Sequence, residues 1–452
     1  MYRRLIAIYL ICLTGFAAHT QAQTSPARKP NIILILADDL GWGDLGCYGQ
    51  KLIKTPNLDQ MAKEGTRFTQ VYASAPVCAP SRSSLMTGLH QGHAYIRGNT
   101  DKNGGRVDLR PSDMTMGEVL KSAGYRTGII GKWGLGEPGT TGVPNKKGFD
   151  YFFGYLNQNL AHNYYPDYLW RNGERVPLGG KSYSADLIER ESLDFIRRES
   201  KGPFFLYLAV TLPHANNELN RQTGNGMEVP IDAPYTNEKW TKPNKNFAAM
   251  VTRLDGTVGK MLSLLKELQI DDNTLVIFSG DNGPQDKTEG SYDAAFFNST
   301  GGLRGLKRSL YEGGIREPTI VRWHGKVPRG VVNEVPWVHY DLFPTFAAIA
   351  GITPPRGLDG VSILPALLGG VGRYRPYLYW EFHEGGFVQA VRLNDWKGVK
   401  KGVNGKIEVY DLRYDKSEAK DVAAIQPKIV SQIAAIMKRE HVPSPIWPDA
   451  DQ

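Results

Sequence analysis

The chain has 452 residues, of which 41% are apolar and 22% charged, with a formal charge of +8. That length allows one large domain plus a smaller one around a substantial core. There is no low-complexity tract or fixed-period repeat, and Lys and Arg are scattered rather than gathered into the basic face of a nucleic-acid binder.

The first element is a targeting segment. Arg3 and Arg4 precede an apolar run, Leu5 to Ala18, that is short for a bilayer span, and Thr20-Gln-Ala22 follows as a small-x-small cleavage pattern. Residues 1–22 therefore read as a signal peptide, and the mature chain is expected in the periplasm or outside the cell, without membrane attachment. Cleavage removes two arginines and no acid, lowering the formal charge to +6. A mildly basic surface suits an anionic substrate but serves solubility equally well.

Asn31–Leu36 is an unbroken apolar run, as in a strand covered on both faces. Thr55-Pro56 opens a helix that stops at Gly65, and Ser112 opens another that stops at Gly124. Further strands are predicted at Thr127–Ile130, Phe204–Val210 and Thr274–Phe278, and the apolar spacing from Phe247 to Leu265 is helical. After Pro354-Pro355 come short aromatic and β-branched runs at Tyr377–Phe382, Phe387–Arg392 and Ile407–Tyr410, then a helix over Pro427–Arg439. The alternation predicts an α/β class: a large, mostly parallel sheet sandwiched by helices over residues 23–365, then a small α+β subdomain with an antiparallel sheet over 366–452.

Ligands in open α/β sheets bind beyond the carboxyl ends of the strands. Here the four predicted strands are followed by Asp38-Asp39, Lys132, His214 and Asp281-Asn282. Four hard oxygen donors on two strand ends suit Ca²⁺ or Mg²⁺ better than Zn²⁺, although any single acidic pair is as readily a helix cap. Cys78-Ala-Pro-Ser-Arg82 opens a helix, Pro80 fits its first turn, and its N-terminal amides would favour an anion. A low-pKa thiol nucleophile at Cys78 and a disulfide between Cys78 and Cys47 are rival readings.

Cys78-x-Pro-Ser-Arg82 with Met86-Thr-Gly88 resembles the signature of type I sulfatases of the alkaline-phosphatase superfamily. Trp42-Gly-Asp-Leu-Gly46, Thr55-Pro-Asn-Leu-Asp59, Gly131-Lys-Trp133, Pro213-His214, Gly280-Asp-Asn-Gly283, Gly305-Leu-Lys307 and Tyr311–Pro318 follow in that family's order. The resemblance spans the mature chain. It implies an alkaline-phosphatase-like sheet and a Cys78 oxidised to formylglycine by a dedicated maturation enzyme. It also implies one Ca²⁺ held by Asp38, Asp39, Asp281, Asn282 and the modified Cys78. In that scheme Arg82 anchors the hydrated aldehyde and Asp281 takes the attacking proton. Lys132 and Lys307 clamp sulfate oxygens, and His214 protonates the leaving alcohol.

One residue departs from the pattern. The family commonly reads Lys-Trp-His where this chain has Lys132-Trp133-Gly134. His93 and His162 are candidates to fill that gap or contact substrate, and His383 is a third substrate candidate. Ala161–Pro166, Trp170 and Trp380–His383 would supply an aromatic wall for a sulfated sugar of galactose or N-acetylgalactosamine type; core packing is the competing role. A phosphoester or phosphonate hydrolase of the same superfamily and a non-catalytic binder of sulfated glycans remain as alternatives.

Overall fold

The computed structural model describes residues 28–371 and 375–449. The predicted signal peptide lies outside the described residues. The strands of the large sheet are β1 (Asn31–Ala37), β2 (Thr66–Tyr72), β3 (Arg126–Lys132), β4 (Tyr151–Tyr155), β5 (Tyr168–Arg171), β6 (Glu174–Pro177), β7 (Phe204–Ala209), β8 (Thr274–Gly280), β9 (Arg316–Arg322), β10 (Val331–Asn333) and β11 (Trp337–Val338). Their order is β10-β2-β9-β8-β1-β7-β3-β4-β5-β6, with β11 also beside β2. The centre, β8-β1-β7-β3-β4, is parallel, and β9 lies antiparallel to both β8 and β2.

Strand alternation divides the core between the two faces. Ile33 and Ile35 of β1 join one apolar cluster, which holds Phe195 of the helix Ser184–Glu199 and Phe247 of the helix Lys242–Glu267. Ile32, Leu34 and Leu36 join the other, against Leu85, Met116, Leu120 and Phe346. Every residue of β1 is buried, and each of its large aliphatic side chains contributes about 1.5–3 kcal/mol. The apolar run therefore becomes the middle of the sheet, not an edge.

The four strands read from sequence are present, as is the small antiparallel sheet: β12 (Tyr377–Phe382), β13 (Val388–Leu393), β14 (Trp396–Lys401) and β15 (Ile407–Asp411), covered by the helix Pro427–Glu440. Strand β14 was not foreseen, because Lys397, Lys400 and Lys401 dilute its apolar pattern. The helix expected from Ser112 begins at Met116. Its cap is Thr115, whose Oγ1 accepts from Glu118 N (3.3 Å) while Glu118 Oε2 accepts from Thr115 N (2.8 Å). Asp113, inside the expected span, is held instead by Arg110.

Candidate active site

The sheet order brings distant residues to one edge. Asp38-Asp39 follow β1, Lys132 ends β3, His214 follows β7 and Asp281-Asn282 follow β8. Because β2 and β8 are both antiparallel to β9, they point the same way, and the segment after β2 delivers Cys78 to that edge. Lys307 arrives from the opposite direction, just ahead of antiparallel β9. Asp39 adopts φ +60°, a left-handed turn that a short polar side chain tolerates and that sets its carboxylate beside Asp38.

Cys78 opens the helix Cys78–Thr87, whose ten residues are all buried. Its Sγ lies 3.4 Å from Asp38 Oδ1. Lys132 Nζ donates to Asp38 Oδ2 at 2.7 Å, and Lys307 Nζ donates to Asp39 Oδ2 at 2.8 Å and to His214 Nε2 at 3.1 Å. The other imidazole nitrogen, His214 Nδ1, donates to Ala215 O at 2.6 Å. Arg82 bonds Asp281 Oδ2 through Nε (3.0 Å) and Nη2 (2.8 Å), and Lys132 O through Nη1 (2.9 Å). The side chains of Asp38, Asp39, Cys78, Arg82, Lys132, His214 and Asp281 are buried, and that of Lys307 is 5% exposed.

Burial sets the electrostatics. It would raise Asp38, yet Lys132, His214, Arg82 and Lys307 together hold that carboxyl far below the usual range. Asp39 goes the other way, to about 7: burial raises it, Lys307 opposes, and Asp38 and Asp281 add to the rise. Asp281 is raised by burial and Asp38. His214 is pushed well below its ordinary value by burial and the Lys307 charge, so the ring is neutral. With Nδ1 donating to Ala215 O, Nε2 is the acceptor that faces Lys307.

The donor set fits a hard divalent cation. Asp38, Asp39, Cys78 and His214 each offer an atom within 4.8 Å of the others. Asn282 Nδ2 donates to Asp39 Oδ1 at 2.6 Å, which turns Asn282 Oδ1 the other way, where it is buried with no hydrogen-bond partner among the described residues. A buried amide oxygen left without a partner is a hard donor of the kind that Ca²⁺ takes as a ligand. Glu317, which the sequence reading did not single out, is fully buried with neither oxygen partnered, and burial followed by Asp281 and Asp39 raises it strongly. Room for it comes from Gly280, where a Cβ would stand 2.2 Å from Glu317 Oε2.

The proposed substrate residues divide. His162 stacks on His214, with centroids 4.6 Å apart and planes 11° apart, and its Nδ1 pairs with Glu218 at 3.0 Å. His93 belongs to another group, with Nδ1 2.9 Å from Asp359 and its ring stacked on His90. His383 is corrected: its side chain is 3% exposed and Nε2 is tied to Glu381 at 3.1 Å, so it presents no free nitrogen to a ligand. The aromatic wall is corrected at two of its positions, while Tyr165 and Trp170 stay half-buried. Tyr164 lies in the core with its hydroxyl on Thr211 O and His214 O, and Trp380 is buried with Nε1 on Ala73 O. Apolar bulk won over exposure at both positions. Asn99 was missed: its Oδ1 accepts Ala79 N at 3.0 Å, and its own N–H is held by Glu384 of the C-terminal part.

Both rival readings of Cys78 fall. Cys47 and Cys78 are free thiols, not a disulfide. Burial and the Asp38 charge push the Cys78 thiol up rather than down, the opposite of what a thiolate nucleophile needs.

A cluster of hard donors flanked by two lysines, at the carboxyl edge of a mostly parallel sheet, fits a hydrolase of anionic esters. Known proteins narrow the class. The sulfatase family model matches residues 30–352, and the model for the C-terminal part of N-sulphoglucosamine sulphohydrolase matches 305–442. N-acetylgalactosamine-6-sulfatase of Homo sapiens is 35% identical over 418 residues, covering 83% of this chain and 74% of that protein. N-acetylgalactosamine-6-O-sulfatase of Bacteroides thetaiotaomicron is 30% identical over 510 residues, covering 94% and 96%. The crystal structure of Ps i-CgsB in complex with k-i-k-neocarrahexaose superposes with a TM-score of 0.80 at 32% identity, covering 91% of this chain and 92% of that one. The chain belongs to the sulfatase family, and it is a sulfuric ester hydrolase.

Proposed function

We propose that this sulfatase removes sulfate from a galactose- or N-acetylgalactosamine-type unit of a sulfated glycan, using one Ca²⁺ and a formylglycine made from Cys78. The observation that carries this reading is the 3.4 Å approach of Cys78 Sγ to Asp38, inside a ring of oxygen donors flanked by Lys132 and Lys307. The names of the relatives support the sugar.

Asp38, Asp39, Asp281 and Asn282 would hold the cation. A hydrated aldehyde at position 78 supplies an oxygen nucleophile in place of a thiol, and the cation supplies Lewis acidity toward a sulfate oxygen. The remaining chemistry belongs to the chain's own side chains. Arg82 fixes Asp281 Oδ2, leaving Oδ1, which among the described residues accepts the Asp39 amide at 3.1 Å, to take the nucleophile's proton. Lys132 and Lys307 turn their ammonium groups to sulfate oxygens and stabilise charge shifting in the transition state. His214 Nε2 faces Lys307 Nζ, and this pair holds the proton that the departing alcohol receives.

The same reading covers the chain's history. No described helix is long and apolar enough to cross a membrane, and the basic-apolar-small pattern at residues 1–22 supports export to the periplasm or medium. The catalytic unit is assigned to 23–365 and the C-terminal subdomain to 366–452. Cys78 is 3% exposed within a wholly buried helix, so the maturation enzyme would have to act before the chain folds.

The test is the mass of the peptide spanning Cys78 in protein from a host that carries the maturation enzyme, together with sulfate release from sulfated galactose and N-acetylgalactosamine. An unmodified thiol in fully active protein would overturn the formylglycine; release from other sulfated sugars only would overturn the substrate.

A further inference from the structure

Gly134 leaves a gap in the Lys-Trp-His pattern, and the structure shows what fills it. As the chain leaves β3, Trp133 N donates to Tyr155 O (2.9 Å) and Gly134 N to Leu156 O (3.1 Å), so residues 132–134 run beside 155–158. Gly134 has φ +72°. A Cβ built on it would stand 2.0 Å from Gln158 Nε2 and 2.6 Å from Gln158 Cδ. The Gln158 carboxamide therefore occupies the space where any side chain at 134 would begin.

Gln158 is 4% exposed, and its Nε2 is buried with no hydrogen-bond partner among the described residues. A buried donor left unpaired is costly, and native proteins rarely keep one that nothing binds. The segments on both sides lead to the reacting centre. Lys132, two residues before Gly134, donates to the Asp38 carboxylate that touches Cys78, and His162, four residues after Gln158, stacks on His214.

We propose that Gln158 is a substrate-contacting residue that takes the place of the absent imidazole, its Nε2 donating to an oxygen of the bound sulfate group. The inference rests on the sulfatase reading and deepens it. A carboxamide can hold an oxygen but cannot accept a proton at any working pH. Gln158 is thus a fixed donor, and the proton traffic in this pocket stays with Asp281, His214 and Lys307.

The test measures binding of inorganic sulfate by calorimetry to Ca²⁺-loaded protein carrying Cys78→Ser, which excludes turnover. Gln158→Met keeps the volume and removes the donor; it is expected to weaken sulfate binding about tenfold with the melting temperature preserved. Gln158→Glu keeps the shape and turns an anion toward the ligand, so it should weaken binding further. Unchanged affinity in Gln158→Met, or equal affinity in Gln158→Glu, overturns the proposal and leaves the sulfatase reading standing. A fully matured wild type that neither binds sulfate nor releases it from any ester takes down that reading first, and this one with it.

Discussion

Arg82 sets two nitrogens on a single oxygen of Asp281, at 3.0 and 2.8 Å, and turns the third to the carbonyl of Lys132 at 2.9 Å. Both side chains are fully buried, so this contact fixes Asp281 against the strand that carries one of the site's lysines. It also ties the helix bearing Cys78 to two strand ends at once.

Arg82→Lys keeps the charge but cannot reproduce a planar three-point grip. Stripping a partner from a buried pair costs about 3–5 kcal/mol. Denaturant unfolding of Arg82→Met is expected to show a loss of that order and Arg82→Lys a smaller one, with activity abolished in both. A variant as stable as wild type would mean that the pair contributes nothing to the fold.

Cation affinity should depend on pH. Asp39 is raised to about 7, by burial first and by Asp38 and Asp281 after it, against the pull of Lys307. Below that value the cation-free site carries a proton which Ca²⁺ must displace, so affinity falls as pH drops, by about tenfold per unit. Calorimetry at pH 5.5 in two buffers of different ionisation heat should report close to one proton released; none released would refute the raised carboxyl.

The timing of modification is open to a direct trial. A peptide spanning residues 75–90 should be converted by the maturation enzyme, whereas folded protein bearing the Cys78 thiol should not, because that helix is wholly buried. Mass spectrometry reads both, and conversion of folded protein would contradict the burial.

His214→Ala removes the imidazole that faces Lys307 Nζ at 3.1 Å. Loss of a positioned proton donor lowers kcat by about 10²–10⁴-fold. The loss should shrink on sulfate esters with good leaving groups, which need little protonation. An equal loss on all esters would assign His214 a binding role instead.

The C-terminal part should respond to acid. Burial would raise Glu381, but its bonds to His383 and His441 and the charge of Arg97 hold it down to about 2. A carboxyl depressed in the folded state adds stability above its ordinary value of 4.5, and that stability is lost as pH falls toward 2. Glu381→Gln should therefore lower the melting temperature at pH 7 and flatten its acid dependence below 4.5. A variant with an unchanged acid limb would rule Glu381 out as its source.

The sequence by itself determined the central strands, the chemistry at their ends and the family. Unbroken apolar runs such as Ile32–Leu36 read as strands covered on both faces, and Asp38-Asp39 and Asp281-Asn282 are hard donors wherever they lie. Local spacing was poorer at the rim: His383 read as a ligand and proved to be Glu381's partner, while Glu317 and Asn99 passed unnoticed. Only the tertiary structure decided which groups meet. Arg82 and Asp281 are 199 positions apart, Lys132 and Asp38 94 apart, and Gln158 reaches the space above Gly134 across two paired segments. The physical reason is that side-chain period and turn chemistry are local properties of the chain. Which distant charges share one buried pocket depends on strand order and direction, and that order comes from packing the whole sheet.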